Sequence, residues 1–245
     1  MKASPPLKAI FFDIDDTLFS TTVFAERARR NAVRAMINTG INMPLGKLLA
    51  ELKEVIVEFS SNHGQHFDKL LQRIPESTFK GINPAVLVAS GIVAYHQTKV
   101  DELEPFPDAA AALRKLNATP LLLGVITAGR ATKQAEKIIR LGLYPYFAPM
   151  AIFISDQIGI SKPNVKLFLR ACECTGLSPQ ETMYVGNDPV KDIDPANSIG
   201  MVTVHSVREK PRVEKQAITR GDYEISDFHE LLKIMRDDFD IHVDP

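Results

Sequence analysis

Ala9-Ile10-Phe11-Phe12-Asp13-Ile14-Asp15-Asp16-Thr17-Leu18 is the stretch whose reading decides the fold. Ile10, Phe11 and Phe12 form an apolar run too short for a helix and rich in strand formers, which predicts a strand buried on both faces. Three carboxylates then follow within four residues, at Asp13, Asp15 and Asp16. A central strand cannot keep such charges in its core, so they belong where the strand ends. In an open α/β sheet that edge is where ligands bind. If the strand continues, extended geometry puts Asp13 and Asp15 on one side, about 6–7 Å apart along the chain. Carboxylates that close repel unless one takes a proton or a cation bridges them, which predicts a divalent metal. The plainer reading is an Asx turn or helix cap, but a cap needs one Asp rather than three.

Downstream of this stretch the pattern is helical. Val23, Ala28, Val33, Met36 and Ile37 mark a first helix over residues 22–38, with Gly40 as its stop. Pro44 opens a second, in which Leu45, Leu48, Leu49, Leu52, Val55, Ile56 and Phe59 recur at helical spacing. Phe67, Leu70, Leu71 and Ile74 predict a third helix before Pro75, and residues 84–99 a fourth. From Pro105 onward the rhythm changes. Helices are expected at 106–116, 130–141, 164–174, 190–199 and 228–239, and strands at 121–126, 151–154, 182–185, 201–204 and, as an edge, 223–225. Strands alternating with helices of these lengths mean a mostly parallel sheet. The predicted fold is α/β: a Rossmann-like, mostly parallel sheet covered by helices on both faces. Its core is discontinuous, residues 1–19 and 105–245. Residues 20–104 form an inserted helical cap domain, expected to pack over the first strand's carboxyl end.

Three later strand ends invite comparison with the first. Val125-Ile126 leads into Thr127-Ala128-Gly129-Arg130, a hydroxyl before a helix start whose free amides suit an anion; a plain N-cap threonine is the alternative. Lys162 stands in a turn before Pro163, placed to meet a phosphoryl group as a point charge. Gly186-Asn187-Asp188-Pro189-Val190-Lys191-Asp192 is a second acidic strand end. Asn187, Asp188 and Asp192 offer the hard oxygen ligands Mg2+ prefers, and Asp192 lies one helical turn after Asp188.

In this order, Asp13-Ile14-Asp15-Asp16-Thr17, Thr127, Lys162 and the Gly186–Asp192 run resemble the four motifs of the haloacid dehalogenase-like (HAD) hydrolase superfamily. The helical segment after the first motif resembles its helical-cap phosphatase subclass. The resemblance implies that Asp13 attacks phosphorus to form a phosphoaspartyl intermediate. It makes Asp15 the proton carrier, Thr127 a hydrogen-bond donor to a phosphoryl oxygen, and Lys162 the charge that offsets Asp13 and the phosphoryl group. It implies Mg2+ held by Asp13, the backbone carbonyl of Asp15 and Asp188, with Asn187 or Asp192 assisting. Ala128 and Arg130 are the candidate substrate contacts, with Ser20, Thr21 and Thr22 at the entrance. Two positions depart from the family pattern: Asn187, where many relatives have Asp, and Ala128, where many have Asn. Cleavage of a carbon–halogen bond needs no acid for an alkoxide, so Asp15 points to phosphatases. The expected activity is Mg2+-dependent hydrolysis of a small phosphate monoester. A phosphomutase, or a catalytically inactive HAD-like module used for binding or assembly, is the alternative.

Composition bounds the rest. The chain has 245 residues, 45% of them hydrophobic, and a formal net charge of -1. That provides for a real core and sets up no general basic field for nucleic acid. No run of 18 or more apolar residues could span a membrane, and the first residues lack a signal-peptide core. Cys172 and Cys174 are two apart in a predicted helix and face different ways, so neither a disulfide nor a joint metal site is expected and a cytoplasmic location is the default. His63 and His66 read as a surface pair; His96, His205, His229 and His242 show no partner. Arg208, Lys210, Arg212 and Lys215 read as a solvated basic run. The partner expected is a small phosphorylated substrate, with no nucleic acid and no membrane; periodicity does not specify the oligomeric state.

Overall fold

The computed structural model describes residues 6–60, 63–209 and 217–243. These divide into two compact units, residues 1–21 with 104–245 and residues 22–103.

The first unit is built on one sheet of six strands: β1 (Ala9–Phe12), β2 (Leu122–Thr127), β3 (Ile152–Ile154), β4 (Thr182–Gly186), β5 (Val202–Ser206) and β6 (Tyr223–Ile225). Their order is β3-β2-β1-β4-β5-β6 and every pairing is parallel. β1 is therefore the central strand, fully buried along its length. The chain winds to one side of it through β2 and β3 and to the other through β4, β5 and β6. That reversal opens a crevice at the carboxyl ends of β1 and β4. Register brings the ends together: Phe12 pairs with Val125 on one side and Val185 on the other, and the Asp13 N–H donates to Val185 O at 2.9 Å.

Side-chain alternation sorts the core. On one face Phe11, Phe153, Phe168 and Tyr184 pack with Ile126, Leu167 and Met201. On the other, the Phe12 ring lies 6.3 Å from both Phe147 and Phe228. Phe11 stands opposite Gly124 in the register, and a Cβ at Gly124 would come within 2.6 Å of that ring and of Ala151 O. The glycine is there because the aromatic ring occupies the space its side chain would need.

The second unit is helical: α1 (Thr21–Thr39), α2 (Leu45–Phe59), α3 (His66–Arg73) and α4 (Pro84–Glu102). Apolar positions at three- and four-residue spacing make one stripe per helix. Val33, Met36, Leu48, Leu52, Leu70, Leu71 and Leu87 merge into a separate core with Ile41, Ile74 and Phe79. Asn83 caps α4 by accepting from the Ala85 N–H at 2.9 Å, with Pro84 at the first helical position. This is the inserted helical cap domain the apolar spacing predicts.

The sheet's helices are α5 (Pro107–Leu116), α6 (Ala131–Arg140), the single turn α7 (Ser155–Ile158), α8 (Val165–Thr175), α9 (Asp194–Ser198) and α10 (Phe228–Phe239). The helix expected over 190–199 is not continuous. Pro189–Ile193 forms a wide turn with five-residue hydrogen bonding, and α9 starts only at Asp194 with Pro195 in its first turn. Cys172 is buried and Cys174 exposed, both free, as their spacing requires. No helix among the described residues is long and apolar enough to cross a membrane.

Candidate active site

β1 does not continue to Asp15. Asp16 adopts a left-handed conformation (φ 57°) and Asp15 bridges to Phe19, so the chain turns directly after Asp13. The expected spacing of Asp13 and Asp15 along one extended strand therefore does not hold. The turn sends the two carboxylates to different cations. Asp13 is buried, with Lys162 Nζ 3.0 Å from its Oδ1, whereas Asp15 pairs with Lys137 at 2.5 Å.

Lys162 precedes α8 and is itself buried; it contacts Asp192 Oδ1 at 2.6 Å and the Tyr184 hydroxyl at 3.2 Å. Tyr184 projects from β4 and donates to Ile126 O at 2.9 Å. Burial alone would drive a lysine toward neutrality, but the charges of Asp13 and Asp192 outweigh it and hold the ammonium protonated. Asp13 moves the other way, pushed up to about 7 by burial and, beyond what Lys162 offsets, by the nearby charges of Asp192 and Asp15. One lysine does not balance the buried acids around it.

Asp15 is only half-buried, and both its oxygens are engaged. Oδ1 accepts from Thr21 Oγ1 at 2.6 Å and from Lys137; Oδ2 accepts from Gln134 Nε2 at 3.0 Å. Burial raises its pKa, but the Lys137 charge and the bonds from Lys137, Thr21 and Gln134 win, and the net shift is downward. The same Gln134 nitrogen lies 2.8 Å from Thr127 Oγ1 and 3.0 Å from Ala128 O. With its oxygen already accepting, the buried Thr127 hydroxyl keeps its proton for another acceptor.

The amides before α6 are less free than the sequence suggests. Ala131 N donates to Asp156 Oδ2 at 2.9 Å and Gly129 N to Ser155 Oγ at 3.0 Å, both from the turn after β3. Ala128 is half-buried and Arg130 exposed.

The fourth strand end separates into distinct jobs. Asp192 is fully buried; its Oδ1 holds Lys162, and its Oδ2 accepts from the Asp188 N–H at 2.9 Å. Asp188 is a cap, its Oδ1 accepting from Val190 N at 3.0 Å and Lys191 N at 2.9 Å, with Oδ2 3.4 Å from Lys191 Nζ. Asn187 is buried, and its side chain takes no hydrogen bond among the described residues. Its backbone O lies 3.2 Å from Nε2 of His205, which does have a partner after all. Arg208, expected to be solvated, forks onto Asp108 and lies 4.4 Å over the Phe106 ring; Lys210, Arg212 and Lys215 lie outside the described residues.

The residues fit a hard divalent cation. The buried Thr17 Oγ1 has no hydrogen bond in this loop, and native buried polar atoms are rarely left so; the neighbouring Asp13 Oδ1 has only the Lys162 ammonium, which it shares with Asp192. The acids there exceed the cations in charge. Among the described residues no three His, Cys, Asp or Glu side chains form a metal-binding group. A cation must therefore draw on backbone carbonyl, amide and water oxygens beside one or two carboxylates, which is how Mg2+ is commonly held.

Asp13, Asp15, Thr127, Lys162 and the Gly186–Asp192 turn thus lie around one sheet edge, in the order the sequence gives them. The sequence profile of the haloacid dehalogenase-like hydrolases matches residues 7–200. The chain belongs to that family. This HAD-like hydrolase is 44% identical over 239 residues to glyceraldehyde 3-phosphate phosphatase of Methanopyrus kandleri, covering 94% of this chain and 98% of the relative. It is 37% identical over 230 residues to the protein of the same name from Pyrococcus furiosus, covering 94% and 93%. Among solved structures it superposes on HAD-hydrolase YfnB of Bacillus subtilis bound to magnesium, at TM-score 0.64 and 21% identity, covering 94% of this chain and 99% of that one. The HAD phosphatase of Thermococcus onnurineus gives TM-score 0.60 at 23% identity, covering 94% and 98%. At those identities the structural likeness bears on fold alone.

Spacing in the sequence led to the HAD-like motifs but missed Gln134, Lys137, Tyr184 and His205. Gln134 and Lys137 carry a faint signal, being three apart on one helical face. Tyr184 reads only as a core aromatic.

Proposed function

We propose that this hydrolase removes phosphate from glyceraldehyde 3-phosphate, or a close three-carbon phosphate monoester, through a phosphoaspartyl intermediate on Asp13. The observation that carries the chemistry is the buried Asp13 carboxylate, 3.0 Å from Lys162 at the carboxyl edge of the central strand. The substrate rests on the full-length similarity to the archaeal glyceraldehyde 3-phosphate phosphatases.

Asp15, once clear of Lys137 and protonated from solvent, delivers that proton to the leaving oxygen as an Asp13 oxygen attacks phosphorus and the bond to the leaving oxygen breaks. Water then attacks the phosphoaspartate; Asp15 takes its proton, the P–O bond to Asp13 breaks, and inorganic phosphate departs. Lys162 offsets negative charge on Asp13 and the phosphoryl oxygens, and the Thr127 hydroxyl donates to one of them. Because Asp15 rests paired with Lys137, it must shift off that contact to act as an acid. Asp13, the Asp15 carbonyl and Asn187 would hold Mg2+. Asn187 is preferred because the Asp188 and Asp192 carboxylates are already committed to the cap and to Lys162. The ion supplies charge that lets one anion approach another.

The test is release of inorganic phosphate from a panel of monoesters with Mg2+, with D13N as the control. Glyceraldehyde 3-phosphate should give the highest kcat/KM and D13N no turnover. A D13N protein that still turns over sinks the nucleophile; a preference for unrelated esters sinks the substrate. Phosphate retained on the organic product would point to a mutase.

A further inference from the structure

α6 brings two side chains to bear on the Asp15 carboxylate, one for each oxygen. Gln134, 1% exposed, places Nε2 within 3.0 Å of Asp15 Oδ2 and 2.8 Å of Thr127 Oγ1. One turn on, Lys137 Nζ sits 2.5 Å from Asp15 Oδ1 and 5.7 Å over the Phe19 ring. Room for Gln134 comes from Gly129, at φ +146°, where a Cβ would lie 3.2 Å from the glutamine.

A carboxylate on a turn has two free torsions, and Lys137 and Gln134 restrain both. Lys162, the buried cation of the site, is already shared by Asp13 at 3.0 Å and Asp192 at 2.6 Å. Lys137 gives Asp15 a cation of its own, so the two acids of the turn pair with different lysines. Gln134 ties the same carboxylate to Thr127, so its position is fixed relative to a group that faces the phosphoryl site.

We propose that Lys137 and Gln134 are positioning residues for the reaction: together they hold the Asp15 carboxylate where a short movement brings it to the leaving oxygen. The proposal rests on the reading of Asp15 as proton carrier. Neither residue touches phosphorus or the leaving group; both act through Asp15.

Leaving groups separate this from a packing role. A nitrophenolate departs with little help from an acid, whereas an alkoxide needs its proton. The ratio of kcat/KM for glyceraldehyde 3-phosphate to that for p-nitrophenyl phosphate therefore reports on Asp15. Being a ratio, it is independent of the fraction of enzyme that folds. Lys137→Met should lower it by about 10- to 100-fold, a part of the roughly 100- to 10,000-fold that general acid catalysis supplies, and D15N should lower it further. Lys137→Arg, which keeps a cation in reach, should recover most of the loss. Q134L should shift the ratio in the same direction. K137M combined with D15N should fall no lower than D15N alone, because the lysine has nothing left to position.

An unchanged ratio in K137M, or a double variant worse than D15N by the full K137M factor, overturns the proposal and leaves the phosphatase reading intact. An unchanged ratio in D15N removes the proton-carrier role and the proposal with it. Wild-type protein that hydrolyses neither ester refutes both readings at once.

Discussion

Replacing Asp192 by Asn tests how the buried charges at the sheet edge are held. The side chain is fully buried and both its oxygens accept: Oδ1 from Lys162 at 2.6 Å, with the Tyr184 hydroxyl 3.1 Å away, and Oδ2 from the Asp188 N–H at 2.9 Å. Asparagine has the same shape but one acceptor. In one orientation its NH2 faces the Asp188 N–H; flipped, it faces the Lys162 ammonium. Either way two donors meet in a fully buried site. Breaking one side of a buried ion pair costs about 3–5 kcal/mol, and since Lys162 keeps Asp13 the lower end, about 3 kcal/mol, is expected. For a chain of this size that corresponds to a Tm lowered by roughly 6–12 °C. D188N is the matched control. Its oxygen can still accept from Val190 N and Lys191 N, and Asn caps as well as Asp, so its loss should stay within about 0.5 kcal/mol. Thermal melts followed by circular dichroism read both. A D192N protein melting within about 2 °C of wild type, or D188N falling as far, would refute the division of labour between the two aspartates.

Three further outcomes follow from separate contacts. Gly124→Ala puts a Cβ 2.6 Å from the Phe11 ring and from Ala151 O, so urea unfolding should show a loss of about 1–3 kcal/mol or more; equal midpoints would mean the central strand has slack. Hydrogen bonds from Arg208 and the Phe228 N–H outweigh burial and hold Asp108 down at about 2, against an ordinary 3.8. A depressed carboxylate stabilises the fold above pH 3.8 and loses that contribution as pH falls toward 2. R208M should therefore be less stable by about 1–2 kcal/mol at neutral pH, after allowing for solvent screening, and converge with wild type between pH 4 and 2 in acid-dependent melts. A constant gap across that window would refute the linkage. For Mg2+ binding by calorimetry, N187A should weaken affinity more than D188A; the reverse ranking would return the ligand role to Asp188.

The acid-rich turn after Phe12 was legible because charge cannot stay in a central strand, and that one constraint placed the site at the sheet's carboxyl edge. Alternation of strands and helices gave a mostly parallel sheet, and helical spacing between Ser20 and Glu104 gave the inserted helices. Lys162 stood out only in company with the other strand ends, because most lysines are simply solvated surface residues. These are local properties, and local sequence determines them.

What each polar side chain does was settled only by the fold. Asp188 and Asp192 are equal as residue types and one turn apart. The wide turn at Pro189–Ile193 nevertheless sends one to cap backbone amides and buries the other against Lys162. Gln134 and Lys137 lie 119 and 122 positions from Asp15, and Arg208 lies 100 from Asp108. No periodicity reaches across such distances. Spacing along a chain fixes which way a residue faces within its own element, whereas the partner it meets depends on how elements stack, and that is a property of the packed sheet.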